Sequence, residues 1–302
     1  MPSPRRFTTH DLEMLLVSLL WGGNFAVSKF ALQQISPLSF SAFRFTLAGG
    51  LLLAATRRTG AARPLPRRTL LGLIVLGVIG NTIYQVAFMS GLRITSATNS
   101  AMIVAFLPVI VALLGTALGI ERATPAMWLG VLLGSAGVAL VVGAGGVSWN
   151  SAGMAGDLLV LFAVLCWACY TVGVKRVGKG VDPLHITTIT IAAGAAGLLL
   201  FGAVDIVRED WSAISAKTWG AVAYATILAL IVAYPLYNRA VQGIGSGRTA
   251  LYNCLTPLVA MTVAWLTLGE VPTGQQFVGV ALVLGGVWLA MTEGKSAVNG
   301  ER

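Results

Sequence analysis

Polar and aromatic side chains recur at helical spacing inside stretches that are otherwise apolar, and the chemistry they suit is recognition of a solute. Asn81, Tyr84, Gln85 and Phe88 stand at i, i+3, i+4 and i+7, which is one face of a helix. Tyr224, Ile227, Ile231, Tyr234 and Asn238 mark a second face. Smaller groups are Trp21, Asn24 and Ser28; Asn99, Met102 and Phe106; Trp167 and Tyr170; and Tyr252 and Asn253. Together they predict a cavity with aromatic walls and uncharged hydrogen-bonding groups. Such a cavity fits an amphipathic zwitterion, its side chain against rings and its amino and carboxyl groups against amides and hydroxyls. The competing role for each Asn or Gln is a bond to a neighbouring helix, worth ~0.6 kcal/mol.

Two cations belong to the same set. Lys29 and Arg44 either attract a carboxylate or pair in a gate, or they snorkel to the outer headgroups. Pro108 and Pro257 fall inside apolar stretches, where each removes a backbone hydrogen bond and permits a hinge or a fixed kink. Catalytic patterns are missing. There is no GxxxxGK[ST], no HExxH and no GxSxG, so neither nucleotide hydrolysis nor the common hydrolase chemistries are encoded. Cys166 and Cys169 match a redox spacing without the strand–helix context it needs, and His10 and His185 form no metal cluster. No cofactor, metal or nucleic acid is expected.

The elements that must position these residues are membrane spans. The chain of 302 residues is 56% hydrophobic and 10% charged, with a mean hydropathy of +0.83. A soluble domain carries roughly 25% charged residues. Apolar stretches near the ~20 residues needed to cross a bilayer are predicted at 11–31, 38–56, 70–91, 97–119, 125–145, 156–175, 183–206, 217–238, 247–268 and 274–292. The first is read as an uncleaved helix. The 36 glycines suit helices that approach closely in lipid. Trp128, Trp149, Trp211, Trp219, Trp265 and Trp288 lie near span ends and read as interfacial anchors.

The ten spans form two copies of five. Residues 97–140 align without a gap on 246–289, with ten of 44 positions identical, among them Pro108 on Pro257, Glu121 on Glu270 and Gly137 on Gly286. Trp21, Lys29 and Pro37 match Trp167, Lys175 and Pro183 at a slightly different offset. The predicted units are 1–145, 156–292 and a short cytoplasmic tail 293–302, with a Gly/Ser/Asn-rich connector at 144–155. Five is odd, so the second copy crosses the membrane upside down. Placing both termini inside puts fifteen of the twenty basic residues on the cytoplasmic side, the bias that sets orientation. Inverted repeats are the architecture of alternating-access carriers. No Asp or Glu falls at mid-membrane, which favours facilitated diffusion or exchange over proton coupling.

The run Leu20-Trp21-Gly22-Gly23-Asn24-Phe25, Arg44 within Phe43-Arg44-Phe45, and the two Pro…Glu…Gly units resemble the drug/metabolite transporter superfamily in its ten-helix EamA type. The resemblance covers about residues 12–292. It implies an all-α integral membrane protein of ten transmembrane helices in two inverted five-helix repeats. It also implies a multi-pass protein of the bacterial inner membrane, acting as a monomer, that exports amino acids or related metabolites. The aromatic and other amino-acid exporters are the branch that the short loops and aromatic residues suggest.

Overall fold

The computed structural model describes residues 8–61, 63–94, 103–104, 106–120, 124–143, 151–268 and 273–292, and no strand occurs among them. They trace ten helical rods. α1 is Thr9–Ala31 and α2 Pro37–Thr59. The third rod is α3 Arg67–Gly77, a π turn at Val78–Ile83 and α4 Tyr84–Ile94. α5 is Leu107–Ala117 and α6 Pro125–Gly143. The second copy contains α7 Ser151–Val177 and α8 Pro183–Arg208. Its third rod is α9 Ala216–Thr226, a π turn at Ile227–Val232 and α10 Ala233–Ile244. α11 Ser246–Tyr252, α12 Leu255–Leu268 and α13 Gly274–Thr292 complete it. α7 begins at Ser151 and so takes up part of the stretch expected to be a connector.

Local sequence explains where the rods begin. Thr8 and Asp11 form a capping box on α1. Ser36 caps α2 ahead of Pro37, and Asp182 caps α8 ahead of Pro183, the same device at equivalent places in the two copies. α2 stops at Gly60, whose φ of 70° is the left-handed cap that glycine adopts without strain.

The repeat extends further than the identities show. The third rod of each copy is interrupted by a six-residue π turn, and each of the three segments of the second starts at the 149-residue offset from the first: Ala216 against Arg67, Ile227 against Val78, Ala233 against Tyr84. Few of these residues are identical across the copies, so backbone geometry has outlasted side-chain identity. π turns inside helices gather at functional sites.

Rods pack across the copies in matched pairs. α2 lies against α8, and α6 against α13. At the second pair, a Cβ on Gly137 would stand 2.6 Å from the Gly279 carbonyl, and one on Gly286 2.5 Å from the Gly130 carbonyl. The two contacts are equivalents of each other under the repeat. Helices in lipid associate through such close small-residue approaches. Gly137→Leu is therefore expected to push α6 from α13 and lower stability by ~1–3 kcal/mol. Gly285→Leu on α13, where a Cβ meets nothing within 4 Å, is the neutral control. Thermal unfolding in detergent checks both.

Contacts at the rod ends fit the alternating path. The start of α1 meets the α10–α11 turn, and the α1–α2 turn meets the α8–α9 turn. There the Ser36 amide donates to Glu209 at 3.0 Å, and the Ser215 amide donates to Gln34 Oε1 at 2.9 Å.

Candidate functional site

The centre of the bundle is a cluster of aromatic rings drawn from both copies. Trp21 of α1 and Trp167 of α7, equivalent residues in the repeat, meet edge to face with centroids 5.8 Å apart. Tyr234 lies 5.7 Å from each of them, and Tyr237 lies 5.1 Å from Trp21 and 5.6 Å from Trp167. Tyr84 reaches Trp167 at 5.3 Å and stacks on Phe88 at 5.7 Å. Tyr170 stacks on Trp167 at 5.1 Å. Each such pair adds about 0.5–1.5 kcal/mol beyond burial, so the closed cluster holds the two copies together.

Arg44 points into this cluster from α2. It is 5% exposed, which removes the snorkelling role. Its guanidinium carbon sits 4.9 Å from the Phe40 ring centroid and 5.4 Å from that of Phe45, and the Phe45 ring lies 6.5 Å from that of Tyr234. Its Nε is buried without a hydrogen-bond partner. Among the described residues no carboxylate pairs with it: the ion pairs there join His10 and Arg239 to Glu13, and Arg248 to Asp11. Cation–π contacts supply ~1–2 kcal/mol each when desolvated, whereas burying a charge costs several. Among the described residues, the site holds a cation that lacks an anion.

The π turns serve this cluster. The turn at Ile227–Val232 frees backbone from the helical ladder, and the Trp21 indole donates to the Ala229 carbonyl at 3.0 Å. That bond fixes the Trp21 ring. The turn at Val78–Ile83 separates Asn81 from its expected face-mates. The Asn81 amide donates across to the Thr190 carbonyl, and the Thr82 hydroxyl to the Gly194 carbonyl, both at 3.0 Å. The i, i+3, i+4, i+7 argument assumes 3.6 residues per turn, and a π turn breaks that assumption. Tyr84 and Phe88 stay together at the cluster, Gln85 is buried, and Asn81 binds α8.

Other predicted residues divide between the cluster and its frame. Tyr170 donates to Asn238 Oδ1 at 3.0 Å, and Asn238 donates to Thr187 at 2.9 Å. Both side chains are fully buried and tie α7, α8 and α10 together. Asn24 and Asn253 each keep a buried side-chain oxygen without a partner. Tyr252 is taken up at the membrane face, where it donates to Asp11. Asn99 and Met102, and the side chain of Lys29, lie outside the described residues.

The prolines mark interruptions where kinks inside continuous helices were expected. Pro108 is in the first turn of α5, just after a turn at Phe106, whose amide bonds the Ile103 carbonyl three residues back. Pro257 is in the first turn of α12, after Asn253 and Cys254 leave α11 through hydrogen bonds to residues three back. The two spans are thus broken at equivalent places, and Asn253 lies in one break. Replacing both prolines with alanine restores the amide needed to heal each break. Exchange flux in vesicles is then expected to fall at least tenfold while solute binding, read by intrinsic fluorescence, stays within twofold. An unchanged flux makes the breaks static shape.

Two closures flank the cluster, and sequence reasoning missed both. On the face carrying the α1 start, Asp11 accepts from Arg248 Nη2 at 2.8 Å and from the Tyr252 hydroxyl at 2.7 Å. Beside it Glu13 pairs with Arg239 at 3.2 Å and lies 2.8 Å from His10 Nδ1. On the opposite face Phe43, Trp211 and Trp219 pack with centroids 5.3–6.1 Å apart. Arg239 and Arg248 were counted among the basic residues of the cytoplasmic side, which was the available signal, and Asp11 and Glu13 did not enter that count. Trp211 and Trp219 had been set aside as anchors.

Ten rods in two copies, five of them long and apolar enough to cross a membrane by length and composition, enclosing an aromatic site between broken helices, define a multi-pass membrane transporter. The chain belongs to the EamA-like transporter family, whose model matches residues 9–143 and 154–292, one match per copy. It is 30% identical over 280 residues to the uncharacterised transporter YyaM of Bacillus subtilis, covering 92% of each chain. To an uncharacterised transporter of Archaeoglobus fulgidus it is 30% identical, covering 93% of this chain and 96% of the relative. To the uncharacterised inner membrane transporter YedA of Escherichia coli K12 it is 27% identical, covering 84% and 85%. A protein of known crystal structure shares the fold with a TM-score of 0.77 at 21% identity, covering 93% of this chain and 96% of that one.

Proposed function

We propose that the protein exports amino acids and related carboxylate-bearing metabolites from the cytoplasm by alternating access. It does so as a monomeric facilitator in the bacterial inner membrane with both termini cytoplasmic. The observation that carries this reading is Arg44, a buried guanidinium without a carboxylate partner among the described residues, set against the rings of Phe40 and Phe45 beside Tyr84 and Tyr234. An arginine fork matches a carboxylate in geometry and charge, and the surrounding rings suit the apolar part of the same solute. The unpartnered oxygens of Asn24 and Asn253 are acceptors suited to an ammonium group. Export direction is what the family resemblance implies, the cytoplasmic termini rest on the basic-residue bias, and the facilitator mechanism rests on the lack of acidic side chains at mid-membrane in the sequence.

The test is efflux of labelled amino acids from vesicles containing the purified protein, with and without a pH gradient. Saturable efflux that is indifferent to the gradient is the expected result. A requirement for the gradient overturns the facilitator mechanism, unsaturable flux points to a channel, and no movement or competition by any amino acid overturns the substrate class.

A further inference from the structure

We propose that the membrane face carrying the α1 start holds a seat for one anionic phospholipid, its phosphate bound by the arginines of the α2–α3 hairpin and an acyl chain lying in the groove beside them. The groove, of about 340 Å³, runs between α2, α3 and α8. Leu53, Leu70, Ile74, Ile189 and Ala192 line it, and Leu53, Leu70 and Ile74 are exposed large apolar residues. At its edge Thr56 and Thr188 satisfy each other, with hydroxyls 2.6 Å apart, so the wall presents no unmet polar group to a hydrocarbon chain.

Charge defines the other half of the seat. Arg57 and Arg58 follow Thr56 directly in the last turn of α2, Arg67 and Arg68 open α3 one turn before Leu70, and Arg63 lies between them. All five are exposed, and none forms an ion pair among the described residues. The sequence places no acid anywhere between Glu13 and Glu121, so the hairpin contains no internal counter-charge. α3 also starts at Pro66 without a side-chain cap, and two cations in its first turn oppose the helix dipole; a phosphate there relieves both. From α8, His185 lines the groove, and the nearest acid, Asp182, is engaged by the amides of Leu184 and His185. Apolar groove and arginine cluster meet at one level, the last turn of α2, where hydrocarbon gives way to headgroups. An anionic phospholipid carries both parts, a hydrocarbon chain for the groove and a phosphate for the arginines. Basic pockets between helices are established lipid-headgroup sites in general.

The experiment is native mass spectrometry of the purified full chain titrated with phosphatidylglycerol and with phosphatidylcholine of the same acyl chains, in the presence or absence of inorganic phosphate. The expected result is one retained phosphatidylglycerol, held at least tenfold better than phosphatidylcholine and not displaced by millimolar phosphate. Arg67→Gln with Arg68→Gln, which leaves Arg57, Arg58 and Arg63 to hold the topology, is expected to weaken retention about thirty-fold. Ala192→Phe, which fills the groove from an exposed position, is expected to weaken both lipids. Equal retention of the two lipids by the unaltered chain overturns the proposal without recourse to any variant. So does displacement by free phosphate, which makes the cluster a soluble-anion site, or full retention of phosphatidylglycerol after the arginine substitutions.

Discussion

Arg44→Met is expected to make the protein harder to unfold and unable to carry its solute. The two effects have one cause. The guanidinium sits buried among rings with no carboxylate opposite it among the described residues. Exchanging buried charge for apolar volume is neutral or stabilising by about 1–4 kcal/mol, and methionine fills irregular space well. With a carboxylate bound, the same charge becomes half of a buried pair, and losing one partner of such a pair costs ~3–5 kcal/mol. That is roughly 150- to 4,000-fold in binding. Arg44→Lys keeps the charge but loses the planar fork and is expected to fall between the two. Thermal unfolding and efflux, measured on the same preparations, check the pair of effects. A residue that only packs gives the reverse: lower stability and flux that survives.

Arg248→Ala is expected to open the face of the protein that Asp11 closes. Asp11 is 1% exposed and takes hydrogen bonds from Arg248, Tyr252 and Thr8. Without Arg248 its charge stays buried with only hydroxyl and amide donors, at a cost of ~3–5 kcal/mol to the closed arrangement. The population with that face closed then drops by roughly 150- to 4,000-fold relative to the open one. Cys254 reports it directly. It is buried in the break of the ninth span, two residues beyond Tyr252. In a background with Cys166 and Cys169 replaced by serine, maleimide labelling of Cys254 is expected to accelerate about a hundredfold in Arg248→Ala. Asp11→Asn combined with Arg248→Gln leaves two neutral groups that can still bond, and labelling is expected to return most of the way to the parent rate. Unchanged labelling in the single variant reduces the cluster to a staple between α1 and α11.

The architecture was legible because lipid leaves few alternatives. Backbone satisfied within each span, apolar stretches of spanning length and a gapless internal match lead to ten helices in two copies, and the family match on each copy agrees. The site was legible where residue type carried the signal. Trp21 and Trp167 stood out by matching across the repeat, and they meet. It was illegible where geometry departed from the regular helix. Asn81 was placed with Tyr84 on a 3.6-residue period, and the π turn sends it to α8 instead. Pro108 and Pro257 were read as kinks within helices, since neither the turn at Asn253 and Cys254 nor that at Phe106 has a residue signature strong enough to show an interruption. The Asp11–Arg248 closure was hidden for another reason. Its partners are 237 positions apart, and only the packing of α1 against α11 and α12 brings two apparently ordinary span-end charges together.

The central claim is that the carboxylate of the solute meets Arg44 inside the aromatic cluster. It is tested most directly by comparing, in vesicles containing the parent protein, the efflux of labelled amino acids with that of the amines formed by removing their carboxyl groups. Each pair shares its side chain and amino group and differs only in the anion. The account predicts saturable efflux of the amino acids and at least hundredfold weaker transport of the amines, a difference that collapses in Arg44→Met. Amines carried as well as their parent amino acids, or a preference that persists in Arg44→Met, would contradict it.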